Sequence, residues 1–435
     1  MTDTAKQSPR LTSRWLVLPL LLAIAILNYA DRYLLAGLVG PIKNDFGLTD
    51  SFVGLLLGPA FALVYTIAAI PIARIADRTS RIMVVCIGCI VWSGFTALTA
   101  YATDAWMLAT ARVGVGIGEA AYQAPTAALI AAYFPPHQRG RALALVGTSI
   151  YFGQMLGLAG GPAIAAEHGW RASFQVIGIT GIIVAVTAWT VIREPEQTAE
   201  RKAAAQPAIA TLARQLVATP SLRNMTLGLS FGTLSGIAFG LWGPALFERA
   251  YGISNAAAGT AFAVSFGLPG LVGVLGFGFL ADRLSRDGLE WPVRLSALAL
   301  FAATACILTV VWMPQMWMAQ MLAIPSGILG GGWSIGIIAG LQYVLPDRSR
   351  ATGTAFALLA MSLFGNFVGP WITGILSDAF TGTQGEGLRI GLSLVIPTGF
   401  IGALLIWRAV ATIKADRDRL HDHDAATSGA PGIAM

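Results

Sequence analysis

Charged residues are scarce in this chain, and their scarcity excludes a soluble globular protein. Only 11% of the 435 residues are Asp, Glu, Lys or Arg, whereas 55% are hydrophobic. A soluble domain of this length needs more charge to cover its surface. The 50 glycines lie mostly inside apolar runs, which favours close packing of membrane helices over disorder. We therefore predict an all-α membrane protein.

Cysteine is also rare, and its placement argues against a metal site. Cys86, Cys89 and Cys306 all fall within apolar runs. Cys86-x-x-Cys89 has the spacing of a metal motif, but neither a second pair of ligands nor a loop accompanies it. Buried thiols of this kind pack as small apolar side chains, so we predict no metal and no cofactor.

The few histidines give no support for enzyme chemistry. His137, His168, His421 and His423 lie in predicted loops or in the C-terminal tail. A membrane-embedded acyl- or phosphotransferase would need a His-Asp, Ser-His or metal constellation. None of the four histidines has such neighbours in the sequence, so we predict that the protein is not an enzyme.

Twelve apolar runs are long enough to cross a bilayer, six in each half of the chain. Their approximate limits are 14–41, 51–73, 82–101, 106–134, 142–166 and 173–192, then 223–247, 256–280, 293–312, 317–345, 351–377 and 389–411. This pattern predicts twelve transmembrane helices in two pseudo-symmetric six-helix bundles, 14–192 and 223–413. The first run lacks a small-residue cleavage site, so no signal peptide is predicted.

Polar segments separate and flank the two predicted bundles. The charged stretch 193–222 is expected to be a cytoplasmic linker with a short interfacial helix near 208–217. The polar ends, 1–13 and 414–435, are expected to be disordered.

Lysine and arginine are shared unequally between the two sets of loops, which predicts the orientation. The loops on the N-terminal side hold most of them, whereas the opposite loops hold only Lys43, Arg171, Arg249 and Arg389. By the positive-inside rule both termini are cytoplasmic, in a multi-pass protein of the inner (plasma) membrane. The net charge of +6 is spread over short loops, so we predict no nucleic-acid partner.

Two motifs recur in the same order in the two halves. The segment 75–81, IADRTSR, returns as 280–286, LADRLSR, each between the second and third runs of its half. The segment 157–162, GLAGGP, returns as 365–370, GNFVGP, each in a fifth run. Two matches at nearly equal offsets indicate duplicated six-helix units.

The first repeat resembles the signature loop of the major facilitator superfamily, and the resemblance extends over nearly the full chain. Its residues are Asp77, Arg78 and Arg81 in the first copy and Asp282, Arg283 and Arg286 in the second. Ala73 stands where that family usually has glycine. The resemblance implies a central cavity, rocking between inward-open and outward-open states, and a cytoplasmic gate at these loops that favours the outward-open state. A plain solvated loop is the alternative.

Other segments resemble narrower groups of the same superfamily. Gly157, Gly161 and Pro162 are similar to the fifth-helix motif associated with antiporters, with Ala165-Ala166 in place of its final glycine pair. The segments 28–32, NYADR, and 116–120, GIGEA, resemble those of Spinster-like transporters of lysolipids and sphingosine-1-phosphate-type lipids.

Ionisable residues inside the first and fourth runs are the strongest functional signal, because charges are costly within a membrane. Arg112 and Glu119 are seven residues apart, so both lie on one helix face, about 10 Å apart along the axis. Asp31 reaches a depth similar to that of Arg112, which allows an Asp31–Arg112 ion pair. Arg32 points about 100° away from Asp31 and is expected to extend outward, with sharing of Asp31 as the alternative.

We interpret Asp31, Glu119 and Arg112 as a proton-coupling group. Burial favours the neutral form of a carboxyl, whereas a neighbouring arginine favours the charged form. The hypothesis is that Asp31 and Glu119 exchange protons while Arg112 alternates between a carboxylate and an anionic head group. The alternatives are a static Asp31–Arg112 ion pair and a permanently neutral Glu119.

The second half carries aromatic residues where the first half carries charges. The predicted substrate-binding residues are Asn28, Arg112, Glu119 and Tyr122 in the first half, and Phe231, Trp242, Trp333 and Asn366 in the second. A charged bundle that faces an apolar one suits an amphiphile, with the head group on Arg112 and the tail along the aromatic rings.

Together these features predict a proton-coupled secondary active transporter that works by alternating access. The expected substrate is an anionic or zwitterionic lipid-like amphiphile, such as a lysophospholipid or a sphingoid phosphate. A multidrug/proton antiporter and an organic-anion symporter of the same fold are the alternatives, and the duplicated loops disfavour a channel. The expected partners are this substrate, protons and membrane lipids, and the protein is expected to be a monomer.

Overall fold

The described part of the chain is built from helices. A computed structural model describes residues 13–194, 209–286, 288, 290–380 and 385–428, and these residues contain no β-strand. The predicted disorder of residues 1–12 and 429–435 concerns segments outside the described residues, as does most of the predicted linker.

Eleven helical segments of the described residues are long and apolar enough to cross a membrane. They are Arg14–Gly37, Asp50–Arg78, Arg81–Thr99, His137–His168 and Trp170–Val191, then Pro220–Tyr251, Asn255–Leu284, Glu290–Val311, Met316–Val344, Thr352–Ala379 and Glu386–Asp422. The remaining predicted span is present as two shorter helices, Ala105–Glu119 and Gln123–Tyr133. The predicted twelve-span fold is therefore confirmed. We number the spans 1 to 12 in chain order, so that the divided one is span 4.

Spans 2, 5, 8 and 11 are each interrupted just before a proline. Gly58 separates Asp50–Leu57 from Pro59–Arg78. Single π-helical turns occupy Leu156–Gly160, Ala263–Gly267 and Leu363–Val368. Proline lacks an amide hydrogen and crowds the carbonyl four residues earlier, so an extra residue in the preceding turn relieves the clash. Spans 2 and 5 of the first bundle correspond to spans 8 and 11 of the second, so these interruptions are a further feature that the two halves share.

The remaining helices include two outside the membrane spans. Val39–Phe46 follows span 1, and Ile209–Ala218 lies where the linker helix was predicted. Span 10 consists of Met316–Gly332 and Ile335–Val344.

The C-terminal tail differs from the prediction, because the last helix, Thr398–Ser428, runs well past residue 413. Asp416 is the reason: its side chain is 1% exposed and accepts a hydrogen bond from the Ser221 backbone amide at 2.8 Å. It thus caps a free amide at the start of span 7. Residues 414–428 of the predicted disordered tail are therefore helical in spite of their many charges.

The two bundles meet through glycine backbones. A Cβ placed on Gly54 of span 2 would lie 2.6 Å from the Pro370 carbonyl oxygen of span 11. A Cβ on Gly259 of span 8 would lie 2.0 Å from the Leu158 carbonyl oxygen of span 5. Only glycine permits such backbone contact between membrane helices, so spans 2 and 11, and 5 and 8, form the inter-bundle seams.

Polar contacts between the bundles gather where span 2 begins, which we call the far end, opposite the loops of Asp77 and Asp282. Asp50 of span 2 accepts from Arg249 of span 7 at 2.7 and 2.9 Å and from Ser377 of span 11 at 2.6 Å. In return, Asp378 accepts from the Asp50 backbone amide at 2.9 Å. We call these four residues the far-end lock.

We expect Asp50→Asn to loosen the far-end lock and to increase the population of molecules open at that end. Removing one member of a buried ion pair costs about 3–5 kcal/mol, and about 1.4 kcal/mol already changes a population ratio tenfold. Spin labels at Glu167 and Trp317, both exposed and on opposite bundles, should report a longer distance. The labels go into a background in which the native cysteines are replaced.

Asp45→Asn is the matched control for that variant. Asp45 also lies at the far end, and the hydrogen bond from Arg171 lowers its pKa, so it is a carboxylate at neutral pH. Its partners, Arg171 and Trp170, belong to its own bundle, so its loss should leave the label distance unchanged. An unchanged distance in Asp50→Asn would show that the lock does not hold the bundles together.

Candidate functional site

Two ion pairs connect spans 1 and 4 inside the first bundle. Arg112 donates from Nη1 to Asp31 Oδ2 at 3.1 Å, and Arg32 donates from Nη2 to Glu119 Oε2 at 2.6 Å. Asp31, Arg112 and Glu119 are at most 2% exposed. The structure thus contains the predicted Asp31–Arg112 pair. We call the four residues the ion-pair cluster.

The expectation that Arg32 extends outward is wrong. Its guanidinium turns inward, with its centre 4.6 Å from the Phe61 ring, 5.5 Å from Tyr29 and 5.7 Å from Tyr65. Rings at such distances attract a cation through their electron-rich faces, and Glu119 supplies the compensating charge. These rings come mainly from span 2, so spans 1 and 4 alone could not reveal the arrangement.

The two carboxyl groups differ in how completely their oxygens are paired. Both oxygens of Asp31 accept hydrogen bonds, one from Arg112 and the other from Thr96. Glu119 Oε2 has Arg32, whereas Glu119 Oε1 is buried and has no partner among the described residues. A buried acceptor without a donor is costly, so Glu119 has the unfilled position to which a proton could bind.

The two arginines differ in their access to solvent. The side chain of Arg32 is 19% exposed, whereas that of Arg112 is 2% exposed. An anion that enters the bundle would therefore meet Arg32 before Arg112.

Span 4 is interrupted at the cluster. Its first helix ends at Glu119, and a turn over residues 120–122 precedes the second helix. A Cβ on Gly118 would lie 2.5 Å from the Trp92 amide nitrogen, and one on Gly116 would lie 2.9 Å from the Phe61 carbonyl oxygen. The glycines therefore seat span 4 against spans 2 and 3, and the interruption leaves helix-end backbone groups close to Glu119.

A cavity of about 190 Å³ lies between the bundles. Tyr33 of span 1 and Ile150, Tyr151 and Gln154 of span 5 form one wall, and residues of spans 7 to 10 form the rest. None of the four ion-pair residues lines this cavity. Sequence reasoning missed its polar residues. The visible signal was the four-residue spacing of Gly232, Gly236 and Gly240, which places them on one helix face.

Only Trp333 of the eight predicted substrate-binding residues lines the cavity. Trp242 is fully buried and donates from Nε1 to the Pro370 carbonyl oxygen at 2.9 Å, so it belongs to the packed core. Phe231 packs edge-on against Phe364, with ring centres 5.9 Å apart. Asn366 donates to the Ser362 carbonyl of its own helix at 3.1 Å.

Asn28 and Tyr122, the remaining predicted contacts in the first bundle, are buried. Asn28 is 2% exposed, and its Nδ2 has no partner among the described residues. Tyr122 is 4% exposed and packs edge-on against Trp92. The structure therefore brings the predicted charges together but separates them from the predicted aromatic wall.

The predicted gate residues lie at the end opposite the far-end lock, which we call the latch end. Asp77 and Arg78 are exposed, as are Asp282, Arg283 and Arg286. Arg81 is 7% exposed and lies 4.0 Å from Glu194 of its own bundle. Gly157 and Gly161 pack against span 1, and Pro162 follows them on span 5. The loop residues lie where a gate would need them, whereas Gly157 and Gly161 contact a helix of their own bundle. The roles of all these residues stay predictions.

Comparisons with known proteins agree with this architecture. The family model of the Major Facilitator Superfamily matches residues 21–370. The chain belongs to this superfamily. An "MFS-type efflux pump" of Mycolicibacterium smegmatis is 32% identical over 95% of this chain and 96% of its own length. Human "Protein spinster homolog 1" is 27% identical over 94% of this chain and 83% of its own.

Solved structures give the same result for this Major Facilitator Superfamily chain. A bacterial Spinster homologue in an inward-facing, unoccupied conformation superimposes with a TM-score of 0.82 and 26% identity, over 93% of this chain and 98% of that one. A D-xylose–proton symporter, 19% identical with a TM-score of 0.69 over 91% of this chain and 97% of that one, shares the fold. The protein is thus a Spinster-type superfamily transporter and not an enzyme.

We expect Arg32→Met to destabilise the protein far more than the loss of a surface ion pair. It leaves Glu119 without its compensating cation, so that Glu119 must be buried as an unpaired carboxylate or take up a proton. Breaking a buried pair in this way costs about 3–5 kcal/mol, whereas replacing both partners by methionine should recover most of that loss. Thermal unfolding of the purified protein, followed by tryptophan fluorescence, gives the order of stabilities.

Arg171→Met is the control, because its pair with Asp45 is about half exposed and should contribute no more than about 1 kcal/mol. Equal destabilisation by Arg32→Met and Arg171→Met would mean that Glu119 does not depend on Arg32.

Proposed function

We propose that this transporter is proton-coupled and moves an amphiphilic anionic or zwitterionic lipid-like substrate by alternating access. The observation that carries the proposal is the ion-pair cluster, with two cations and two carboxyls buried between spans 1 and 4 and one carboxylate oxygen without a donor. Charges are retained inside membrane proteins chiefly where they serve transport.

Glu119 is the proposed proton-binding residue, and Asp31 is the second carboxyl of the cluster that we propose to exchange protons. When Arg32 leaves Glu119, the buried carboxylate loses its compensating charge, and uptake of a proton becomes favourable. When Arg32 returns, the proton is released. Asp31 would exchange a proton only if Arg112 left it, because both of its oxygens are already bonded.

Binding of an anionic head group of the substrate would cause Arg32 to change partners. The group competes with Glu119 for Arg32, the more exposed arginine, and Arg112 then follows by exchanging Asp31 for the same anion. This exchange couples substrate and proton, because both ligands favour the arrangement in which Arg32 has left Glu119.

The conformation supports alternating access. The bundles are joined at the far end by Asp50 and Arg249, whereas Asp77 and Asp282 at the latch end are exposed. With the cytoplasmic termini predicted by the positive-inside rule, we propose that this is an inward-facing arrangement, in a protein that works as a monomer in the inner membrane. The Asp77 and Asp282 loops would close in the outward-open state.

The relatives support a lipid-like substrate. A zebrafish relative, 28% identical over 91% of this chain and 83% of its own length, is named "Sphingosine-1-phosphate transporter SPNS2". The name of the Mycolicibacterium relative, an efflux pump, favours a multidrug/proton antiporter as a second candidate. A head group that binds arginine fits the cluster better than a lipophilic cation does, because no carboxylate of the cluster is free of a cation.

Transport in proteoliposomes tests the proposal. We expect Glu119→Gln to abolish accumulation of a lysophospholipid driven by a proton gradient, because the amide cannot carry the proton, while substrate exchange without a gradient continues. Arg112→Ala should lower both activities, since it leaves Asp31 uncompensated.

Glu167→Gln, a change at an 80% exposed carboxylate, should transport like the wild type. Accumulation that stays proton-dependent in both Glu119→Gln and Arg112→Ala would rule out the proposed coupling. Transport of a lipophilic cation, with none of the lysophospholipid, would favour the efflux alternative.

A further inference from the structure

One aromatic ring lies beside both arginines of the ion-pair cluster. The centre of the Phe61 ring, on span 2, is 4.6 Å from the guanidinium carbon of Arg32 and 5.7 Å from that of Arg112. Phe61 is 3% exposed, so water does not screen these contacts. A ring face attracts a guanidinium within about 6 Å, and the attraction grows as water is excluded. A single neutral side chain therefore acts on both cations of the cluster.

Phe61 differs in this respect from the other two rings near Arg32. Tyr29 and Tyr65 lie 5.5 and 5.7 Å from Arg32, but in the described part of the chain only Phe61 of the three also lies over Arg112. Phe61 stacks on Tyr65, with ring centres 5.5 Å apart and planes at 25°, which fixes the tilt of its ring. A change at Phe61 therefore affects both ion pairs at once.

The backbone of Phe61 lies between span 4 and the other bundle. A Cβ on Gly116 of span 4 would be 2.9 Å from the Phe61 carbonyl oxygen. Three residues earlier, a Cβ on Gly58 would be 2.9 Å from the carbonyl oxygens of both Asn366 and Phe367 of span 11. The Phe61 amide donates to the Gly58 carbonyl oxygen at 3.2 Å. One hydrogen bond and one helical turn thus connect the seam of spans 2 and 11 with the ring.

Both helices are irregular where they meet at this seam. Gly58 separates the two helices of span 2, and its contacts on span 11 belong to the π-helical turn Leu363–Val368. Helices bend most readily at such interruptions. Movement of the bundles against each other is therefore expected to change the direction of span 2 at Gly58 and to shift the Phe61 ring relative to the arginines.

We propose that Phe61 is a positioning residue that couples the movement of the bundles to proton binding. In the observed arrangement its ring helps to hold Arg32 on Glu119 and Arg112 on Asp31. When the seam of spans 2 and 11 moves, the ring leaves Arg32, this arginine separates more readily from Glu119, and the carboxylate takes up a proton. The inference rests on the proposed proton coupling and identifies the side chain that links it to alternating access.

The groups around Glu119 determine what a titration reports. The charged and titratable side chains that face it come from four spans: Tyr29, Asp31 and Arg32 of span 1, Tyr65 of span 2, Cys89 of span 3 and Arg112 of its own span. Arginine, tyrosine and cysteine ordinarily exchange protons only above about pH 8, so a group that titrates below this pH is a carboxyl. Glu119→Gln then distinguishes Glu119 from Asp31.

Fluorinated phenylalanine at position 61 tests the attraction with little change in the shape of the ring, because fluorine withdraws electrons from the ring face. Infrared difference spectra at stepped pH follow the carbonyl band of protonated Glu119, which is assigned by its loss in Glu119→Gln. One, two and three ring fluorines should raise the pH of half-protonation stepwise. We expect about one pH unit in total, because the lost attraction corresponds to about tenfold in the separation of Arg32 from Glu119.

Phe174 is the matched control position, because it is a buried ring of the same bundle. It is 1% exposed and packs edge-on against Trp170, with ring centres 5.8 Å apart. No arginine in the described part of the chain lies over its ring. The same fluorinated residues at Phe174 should leave the pH of half-protonation unchanged. Equal shifts at both positions would reflect altered packing and would overturn the inference.

Gly58→Ala tests the connection with the seam, because its Cβ would press on the backbone of span 11. It should raise the pH of half-protonation by itself and reduce the further effect of fluorine at Phe61, since changes that act through one contact are not additive. Gly259→Ala places a similar clash in the seam of spans 5 and 8 and should keep the full fluorine effect. Size-exclusion profiles verify folding, and Asp50→Asn replaces Gly58→Ala if that variant does not fold.

The outcomes separate this inference from the proposed function. A wild-type spectrum without a titrating band that Glu119→Gln removes would overturn both. A titrating band that fluorine at Phe61 does not shift would overturn the role of Phe61 alone. A fluorine effect of full size in folded Gly58→Ala would overturn the coupling of Phe61 to the movement of the bundles.

Discussion

The constraint on which this structure depends is that four charges are buried together and must neutralise one another. Asp31, Arg32, Arg112 and Glu119 have no net charge as two ion pairs, and removal of any one leaves a charge that the interior cannot solvate. The balance is not complete, because Glu119 retains one oxygen without a donor. Glu119 can therefore accept a proton on this oxygen when an anion takes its place beside Arg32, and the cluster then stays neutral.

The two bundles contribute different parts of the proposed site. The first bundle holds the ion-pair cluster, and the second contributes most of the uncharged cavity. The seams between the bundles are backbone contacts at glycines such as Gly54 and Gly259. Contacts of this kind involve no charged side chains, and the far-end lock adds the ion pair of Asp50 and Arg249 between the bundles.

The sequence was sufficient for the fold and for half of the cluster. Hydropathy and the repeated loops predict the twelve spans, and depth along antiparallel helices predicts the Asp31–Arg112 pair. The Arg32–Glu119 pair was missed because the rings that hold Arg32 include Phe61 and Tyr65 of another span, and their position depends on packing. Trp242 illustrates the converse: its aromatic character suggested a binding wall, but its Nε1 is bonded inside the core.

Span 1 gives the proposed coupling a physical route, because three consecutive residues connect the ion-pair cluster with the cavity. Asp31 pairs with Arg112, Arg32 pairs with Glu119, and Tyr33 lines the cavity. Span 5 packs on this segment without space, since a Cβ on Gly157 would lie 2.6 Å from the Ala30 carbonyl oxygen. A substrate that displaced Tyr33 would therefore also move the backbone that carries Arg32. Substrate and proton can thus influence each other through one helix, and linkage requires that influence to be reciprocal.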